Sequence, residues 1–368
     1  MRPLEGVRIL TIEHFGAGPY GTMFLAGLGA QVTKIEKAAS GGDPGRHVGP
    51  HRLGEDDSQY FQSWNLNKRS VSLDLESQRD AFERLVSDAD ALVNNLRGEL
   101  PARLGLDYRS LSRVNPALVC LHISAYGRDN ERASWPGYDF LMQAEAGLMS
   151  LTGEPGGPPS RFGTSIIDCM TGMTGVAGLL ACLLQAKRTG RGCDVDVSLF
   201  DVALHQLGYM GTWFLNGGEP SSRQPRSAHY SLAPVQTFPT ADGWIFVACM
   251  TERFWLALID ALSRRELGED ARFATQAARL EHREALTGLL DAEFRRRSTA
   301  HWLAALSGLL PVAPINDLRQ ALENPFVAAT GMVRPAPHPA RPDLRVLATP
   351  VKIDGERPLP AVCEPLKR

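Results

Sequence analysis

An α/β fold, built on a parallel sheet and joined by a smaller α+β domain, is predicted by three observations. Strand-like and helix-like runs alternate from the start, with a strand over 7–13, a helix over 22–28 and a strand over 31–36; this order lays strands down in parallel. A glycine-bearing turn, Gly16-Ala17-Gly18-Pro19-Tyr20-Gly21, joins the first strand to its helix. A run of turn residues at 217–225 then sets off a second group of strands and helices. With 368 residues the chain has room for two cores. The expected division is a Rossmann-like large domain over 1–216, a linker at 217–225, a small α+β domain over 226–325, and a segment at 326–368 returning to the large domain.

Composition narrows the function classes. A formal charge of −2 gives no strong pull on nucleic acid or an anionic membrane. The six cysteines include no Cys-x-x-Cys pair, and four lie in apolar runs. That usage fits a reducing compartment, with neither a zinc site nor a disulfide framework. No apolar run approaches the ~18–20 residues that span a bilayer. The first strand begins within about ten residues of Met1, where a secretory signal would otherwise lie. The cytoplasm is the expected location.

Taken in order, the first turn is a literal Gly-x-Gly-x-x-Gly, and Glu36 lies 20 residues past Gly16. Alone, that pattern is a dinucleotide fingerprint and makes an NAD-dependent oxidoreductase the rival from another class. Nothing downstream supplies a hydride-transfer constellation. Lys37 follows the second strand. Arg46, after a polar turn, is a candidate for gripping a substrate carboxylate, because guanidinium pairs with it through two parallel hydrogen bonds. Strands are expected at 71–75, 91–95 and 118–124, and a short helix at 107–114. A loop over 126–136 then delivers Tyr138 and Asp139.

The segment 168–187 contains no proline, and its apolar residues recur at helical spacing, so it reads as one long, largely buried helix. Gly172, Gly175 and Gly178 recur every third residue, although glycine costs a helix roughly 1 kcal/mol relative to alanine. Something must approach that face closely, either a packed helix or a ligand. Asp168 stands where the helix should begin. It reads as an N-cap or as a nucleophile held ionised by the positive helix end; position leaves both open. Beyond it come a strand at 194–198, a helix at 199–215, a hairpin pairing 235–238 with 244–248, and helices at 252–262, 283–296 and 299–309.

Several separated motifs occur together: Asn65-Leu66-Asn67-Lys68-Arg69-Ser70, Pro136-Gly137-Tyr138-Asp139, Gln143-Ala144, Thr152-Gly153-Glu154-Pro155, and Asp168 followed by Thr171-Gly172. In this order they resemble the class III CoA-transferases, the family that includes formyl-CoA transferase, crotonobetainyl-CoA transferase and the α-methylacyl-CoA racemases. The resemblance runs from Pro3 to about Asp354. It implies an acyl-CoA and a carboxylic acid as reactants, coenzyme A as the only cofactor-like molecule, no metal or redox group, and an interlocked homodimer. It makes Asp168 the nucleophile, with Tyr138 and Asp139 shaping the pocket around it. It places His14, Gly16 and Ala17 along the CoA channel, Lys37 at the nucleotide, Leu73 beside the adenine, and Asn95, Leu96 and Arg103 at other CoA contacts, with Tyr138 also within reach of CoA.

The departures from the pattern carry information. Gly16 replaces a glutamine that contacts the acyl group in the relative with the best-known chemistry. Tyr138 replaces the histidine that racemases use as a second base; with a phenol pKa near 10 it is a poor substitute, so transfer is favoured over racemisation. The glycine-rich lid of the formyl-CoA enzymes is replaced by Ser227-Ala228-His229-Tyr230-Ser231, which makes Arg226 and His229 candidates for touching the acceptor. The expected acceptor is a small mono- or dicarboxylic acid such as succinate.

Overall fold

The structure, a computed structural model, describes residues 2–366. The chain forms two units, Met1–Leu148 with Arg161–Gly208 and Pro325–Arg368, and Met149–Ser160 with Tyr209–Asn324. The short segment Met149–Ser160 joins the smaller unit, for which the sequence reading made no provision.

The larger unit is built on six parallel strands: β1 (Arg8–Ile12), β2 (Gln31–Glu36), β3 (Arg69–Ser72), β4 (Ala91–Asn94), β5 (Val119–Ser124) and β6 (Cys193–Ser198), in the order β3-β2-β1-β4-β5-β6. Alternation along each strand feeds two cores. Ile9, Val32, Val93, Leu121 and Ile123 face one layer of helices, while Leu10, Ile35, Leu92 and Cys120 face another that includes Phe82 and Leu111. Strand order reverses between β1 and β4, and in open sheets of this kind ligands bind beyond the strand ends at that reversal.

Three helices matter for the site: α1 (Ala17–Gly27), α2 (Asp139–Glu145) and α3 (Ile166–Thr189). Helix α1 begins at Ala17 rather than at 22. Pro19 falls in its first turn, where a missing N–H costs nothing, so the glycine turn is itself helical. Helix α3 has the length and apolar composition to cross a membrane, contrary to the expectation that no such run exists. Here one face of it packs in the core, with Ile167, Val176, Leu179 and Leu183 buried, while Leu184 is exposed, so the helix is not largely buried as expected.

The glycines of α3 answer the question of what approaches them. A Cβ on Gly172 would lie 2.4 Å from the Ala17 carbonyl oxygen, and one on Gly21 would lie 2.6 Å from the Gly172 carbonyl oxygen. Helix α1 therefore packs backbone to backbone on α3. Gly175 and Gly178 instead admit side chains of the sheet, Leu121 and Val195. The helix expected over 199–215 is broken into Leu199–His205 and Gly208–Gly217 at Gly208, whose φ of +55° suits glycine alone without strain.

The smaller unit carries an antiparallel sheet of β7 (Val235–Pro239), β8 (Trp244–Ala248) and β9 (Val312–Pro314). Phe238, Ile245, Val247, Trp255, Leu290 and Phe294 make its core.

Candidate active site

A cavity of about 290 Å³ opens beyond the ends of β1 and β4, at the strand-order reversal. His14, Gly16 and Ala17 line it from the turn after β1, Asn95 and Leu96 from the turn after β4, and Tyr138 and Asp168 from the start of α2 and α3. Seven residues proposed from widely separated parts of the sequence thus meet in one place.

Asp168 is the third residue of α3, not its N-cap; Ser165 holds that position and makes no side-chain capping bond. The free N–H of Asp168 donates instead to Asp139 Oδ2 at 2.9 Å. Asp139, the first residue of α2 and 3% exposed, is fixed through its other oxygen by Gln143 Nε2 at 2.5 Å. One buried carboxylate therefore caps the helix that carries the other. Among the described residues no hydrogen-bond donor reaches the Asp168 carboxyl. Burial, and then the charge of Asp139, push its pKa up to about 7. The positive helix end alone would lower it, contrary to the outcome; desolvation and a like charge outweigh that dipole here.

The opposing wall is main chain. A Cβ on Gly16 would stand 2.3 Å from Asp168 Oδ2, so no other residue fits beside this carboxylate as it stands. The turn leading to Gly16 is held from outside. His14 N–H donates to Asn95 Oδ1 at 2.8 Å, and Asn95 Nδ2 donates to the His14 carbonyl at 2.7 Å. Asn95, predicted as a CoA contact, thus has a structural task as well. Burial pushes the His14 imidazole below its ordinary pKa, with the carboxylate of Asp43 acting the other way. Tyr138 is 60% exposed, with its ring edge-on to Phe15. Phe15 was missed in the sequence; its φ of +60° is unusual for a bulky residue and is visible only in the structure. Trp135 and Leu100 were missed too, because a loop residue and the first residue of a four-residue helix have no periodicity to betray them.

Other candidates lie outside the cavity wall. Lys37 pairs with Asp74 at 3.0 Å, Leu73 is 7% exposed in the core, and Arg103 ends the short helix Leu100–Arg103 with its side chain exposed. Arg46 requires a correction. It is fully buried, and its Nε and Nη2 donate to the two carboxylate oxygens of Glu36 at 2.9 and 2.7 Å over the face of Phe61. The two-pronged grip expected for a substrate is used inside the protein. The same pairing removes the acidic partner from the dinucleotide reading. Burial would raise the Glu36 carboxyl, but Arg46, Lys34 and Ser70 hold it at about 2, with no face left for a ribose. Arg226 and His229 belong to the smaller unit, where Arg226 pairs with Asp291 and His229 stacks on Tyr209. Among the described residues, no group of three or more His, Cys, Asp or Glu side chains is arranged to hold a metal.

Residues 4–366 match the model of CoA-transferase family III. The chain belongs to that family. It is 32% identical to the succinate–glutarate CoA-transferase of Agrobacterium fabrum, across 90% of this chain and 84% of the relative. It is 34% identical to the acetyl-CoA:oxalate CoA-transferase of Acetobacter aceti, across 96% and 90%. In three dimensions it is similar to a CAIB/BAIF family protein of Brucella suis, with a TM-score of 0.83 and 33% identity over 96% of this chain and 93% of that one. This class III CoA-transferase is therefore an enzyme acting on acyl-CoA and carboxylate, and the family match extends beyond residue 354, where the resemblance in the sequence was read to end.

Proposed function

We propose that this CoA-transferase moves CoA from an acyl-CoA donor to a small dicarboxylic acid through covalent intermediates on Asp168. The supporting observation is the Asp168 carboxyl at the cavity wall, reached by no hydrogen-bond donor among the described residues and faced by the bare backbone of Gly16. An Asp168 oxygen attacks the thioester carbon, the C–S bond breaks, and an aspartyl–acyl anhydride forms as CoA thiolate departs. The thiolate attacks the aspartyl carbonyl, releases the donor acid and leaves an aspartyl-CoA thioester. The acceptor carboxylate displaces the thiolate, which then attacks the acceptor carbonyl and frees Asp168. No proton is gained or lost overall, and each step is easier than direct exchange. Asp139 fixes the Asp168 backbone, and Tyr138 and Trp135 limit water at the mouth.

CoA would run past His14, Gly16, Ala17, Asn95 and Leu96, with its phosphates towards Lys37 and Arg103 and its adenine towards Leu73. The dicarboxylic acids in the names of the relatives support a dicarboxylic acceptor. A second copy of this chain is the proposed partner, supported by large apolar side chains exposed in the isolated chain, among them Leu184, Trp213, Phe214 and Leu215. Six free cysteines support a cytoplasmic setting.

One observation favours a second reading: a carboxyl titrating near 7 suits proton transfer at an α-carbon, as in a racemase. Incubating the enzyme with acyl-CoA and a panel of dicarboxylic acids, with products and intact protein read by mass, decides between them. New CoA esters together with an adduct on Asp168 support transfer. Solvent deuterium entering the acyl α-carbon without any change of CoA carrier would overturn it.

A further inference from the structure

Beneath the turn that faces Asp168 lies a buried pair of opposite charges that the proposed chemistry does not use. Lys34, from β2, is fully buried, and its Nζ lies 3.0 Å from Asp43 Oδ2, with Asp43 1% exposed. Both groups grip the same short piece of backbone. Lys34 Nζ donates to the Glu13 carbonyl at 2.6 Å, and Asp43 Oδ1 accepts the Phe15 N–H at 3.3 Å. Asp43 is fixed in its turn, because its N–H donates to Glu36 Oε2 at 2.8 Å and its Oδ1 also accepts the Gly45 N–H at 2.8 Å.

The grip falls on a strained point. Phe15 has a φ of +60°, and a non-glycine residue stays there only when its surroundings over-determine it. The next residue is Gly16, where an added Cβ would run into the Asp168 carboxyl. A buried ion pair is poor evidence for stability, because apolar replacements of similar volume are often as stable. Its placement is more telling: with Asn95 on His14, it leaves the turn no freedom to drift away from Asp168.

We infer that Lys34 and Asp43 are positioning residues for the reaction at Asp168, setting the Phe15-Gly16 turn against the attacking carboxylate. This rests on the acyl-transfer reading above. Asp43→Asn keeps an acceptor for the Phe15 N–H but takes away the carboxylate 3.0 Å from Lys34, leaving Glu13 at 4.0 Å as its nearest counter-charge. A 1 Å misplacement of a reacting group is enough to lose about 100-fold in rate. The variant is therefore expected to lose about 100-fold in kcat, with KM for acyl-CoA changed by less than about threefold. His338→Gln is the comparison, since it breaks another buried pair, His338 with Asp57 at 3.2 Å, that does not touch the turn. It should lower Tm while leaving kcat within about threefold.

The experiment is a rapid-quench measurement of adduct formation on Asp168 by intact mass, run beside thermal unfolding. If the wild type forms no adduct, the acyl-transfer reading fails and this inference with it. If the wild type forms one and folded Asp43→Asn does so equally fast, only the positioning role is overturned. Should Asp43→Asn not fold, Lys34→Met with Asp43→Leu supplies a neutral pair. A folded double variant with the same kcat loss supports the inference. Wild-type kcat in it, or failure of both variants to fold, overturns it.

Discussion

Gly16 and Asp168 sit so close that a single methyl group on Gly16 would fall 2.3 Å from the Asp168 Oδ2 atom. Gly16→Ala is expected to fold normally and to lose at least about 100-fold in CoA exchange, since displacing a reacting group by about 1 Å costs that much. Steady-state exchange rates beside a circular dichroism spectrum check both halves.

The pKa of about 7 at Asp168 predicts a pH profile. The nucleophile must be ionised, so kcat/KM should fall about tenfold per unit below pH 7 and level off above it. Asp139 contributes a like charge to that shift, so Asp139→Asn, whose amide oxygen still accepts the Asp168 N–H, should move the midpoint to lower pH. A midpoint that stays in place would remove Asp139 from the electrostatics of the site.

Ionising Asp168 also opposes folding. Its folded pKa lies above the usual 3.8, so the native state holds the proton more tightly and stability declines as pH rises from about 4 to 7. Above that window the penalty is constant. Asp168→Asn should therefore melt higher than the wild type at pH 8, by at least about 2 °C, with the gap closing towards pH 4. The same variant should be inactive. Differential scanning calorimetry across pH reads the first effect and mass spectrometry the second.

Arg46 separates two roles by experiment. Its guanidinium is buried on Glu36, so Arg46→Lys should cost about 1.5–3 kcal/mol of stability through lost charge-assisted bonds. KM for the acceptor acid should stay unchanged. A raised KM with an unaltered melting point would restore Arg46 to the substrate.

Gly172→Ala tests the helix contact. Its Cβ would meet the Ala17 carbonyl oxygen at 2.4 Å, and overpacking of this sort costs about 1–3 kcal/mol. Urea unfolding should show that loss. CoA exchange should fall with it, because α1 leads from one wall of the cavity and α3 carries the other.

Much of this was legible in the sequence, for physical reasons. The strand at Val119–Ser124 announces itself through apolar composition, that at Gln31–Glu36 through its β-branched Val32, Thr33 and Ile35, and β-α alternation is enough to imply a parallel sheet. The spacing of Gly172, Gly175 and Gly178 showed that a close approach was needed, though not that α1 would fill only the first place. What stayed hidden depends on three-dimensional neighbours. Asp168 looked like a cap because its helix start was read two residues late, and its raised pKa comes from burial and then from Asp139, 29 residues away, both products of the fold. Arg46 looked free because a polar turn reads as surface; only the fold delivers Glu36 and Phe61 to it. Phe15 left no trace, since a positive φ is a property of the backbone.

The contact of Gly21 with Gly172 also bears on how this scaffold could be retuned. Two main chains in direct touch leave no side chain to trim or enlarge, so the gap between the carboxyl and the facing loop is a fixed calibre. New acids must be accommodated at the rim, through Trp135, Tyr138 and their neighbours. A mutational library aimed at substrate scope should therefore leave the seam untouched and randomise the mouth.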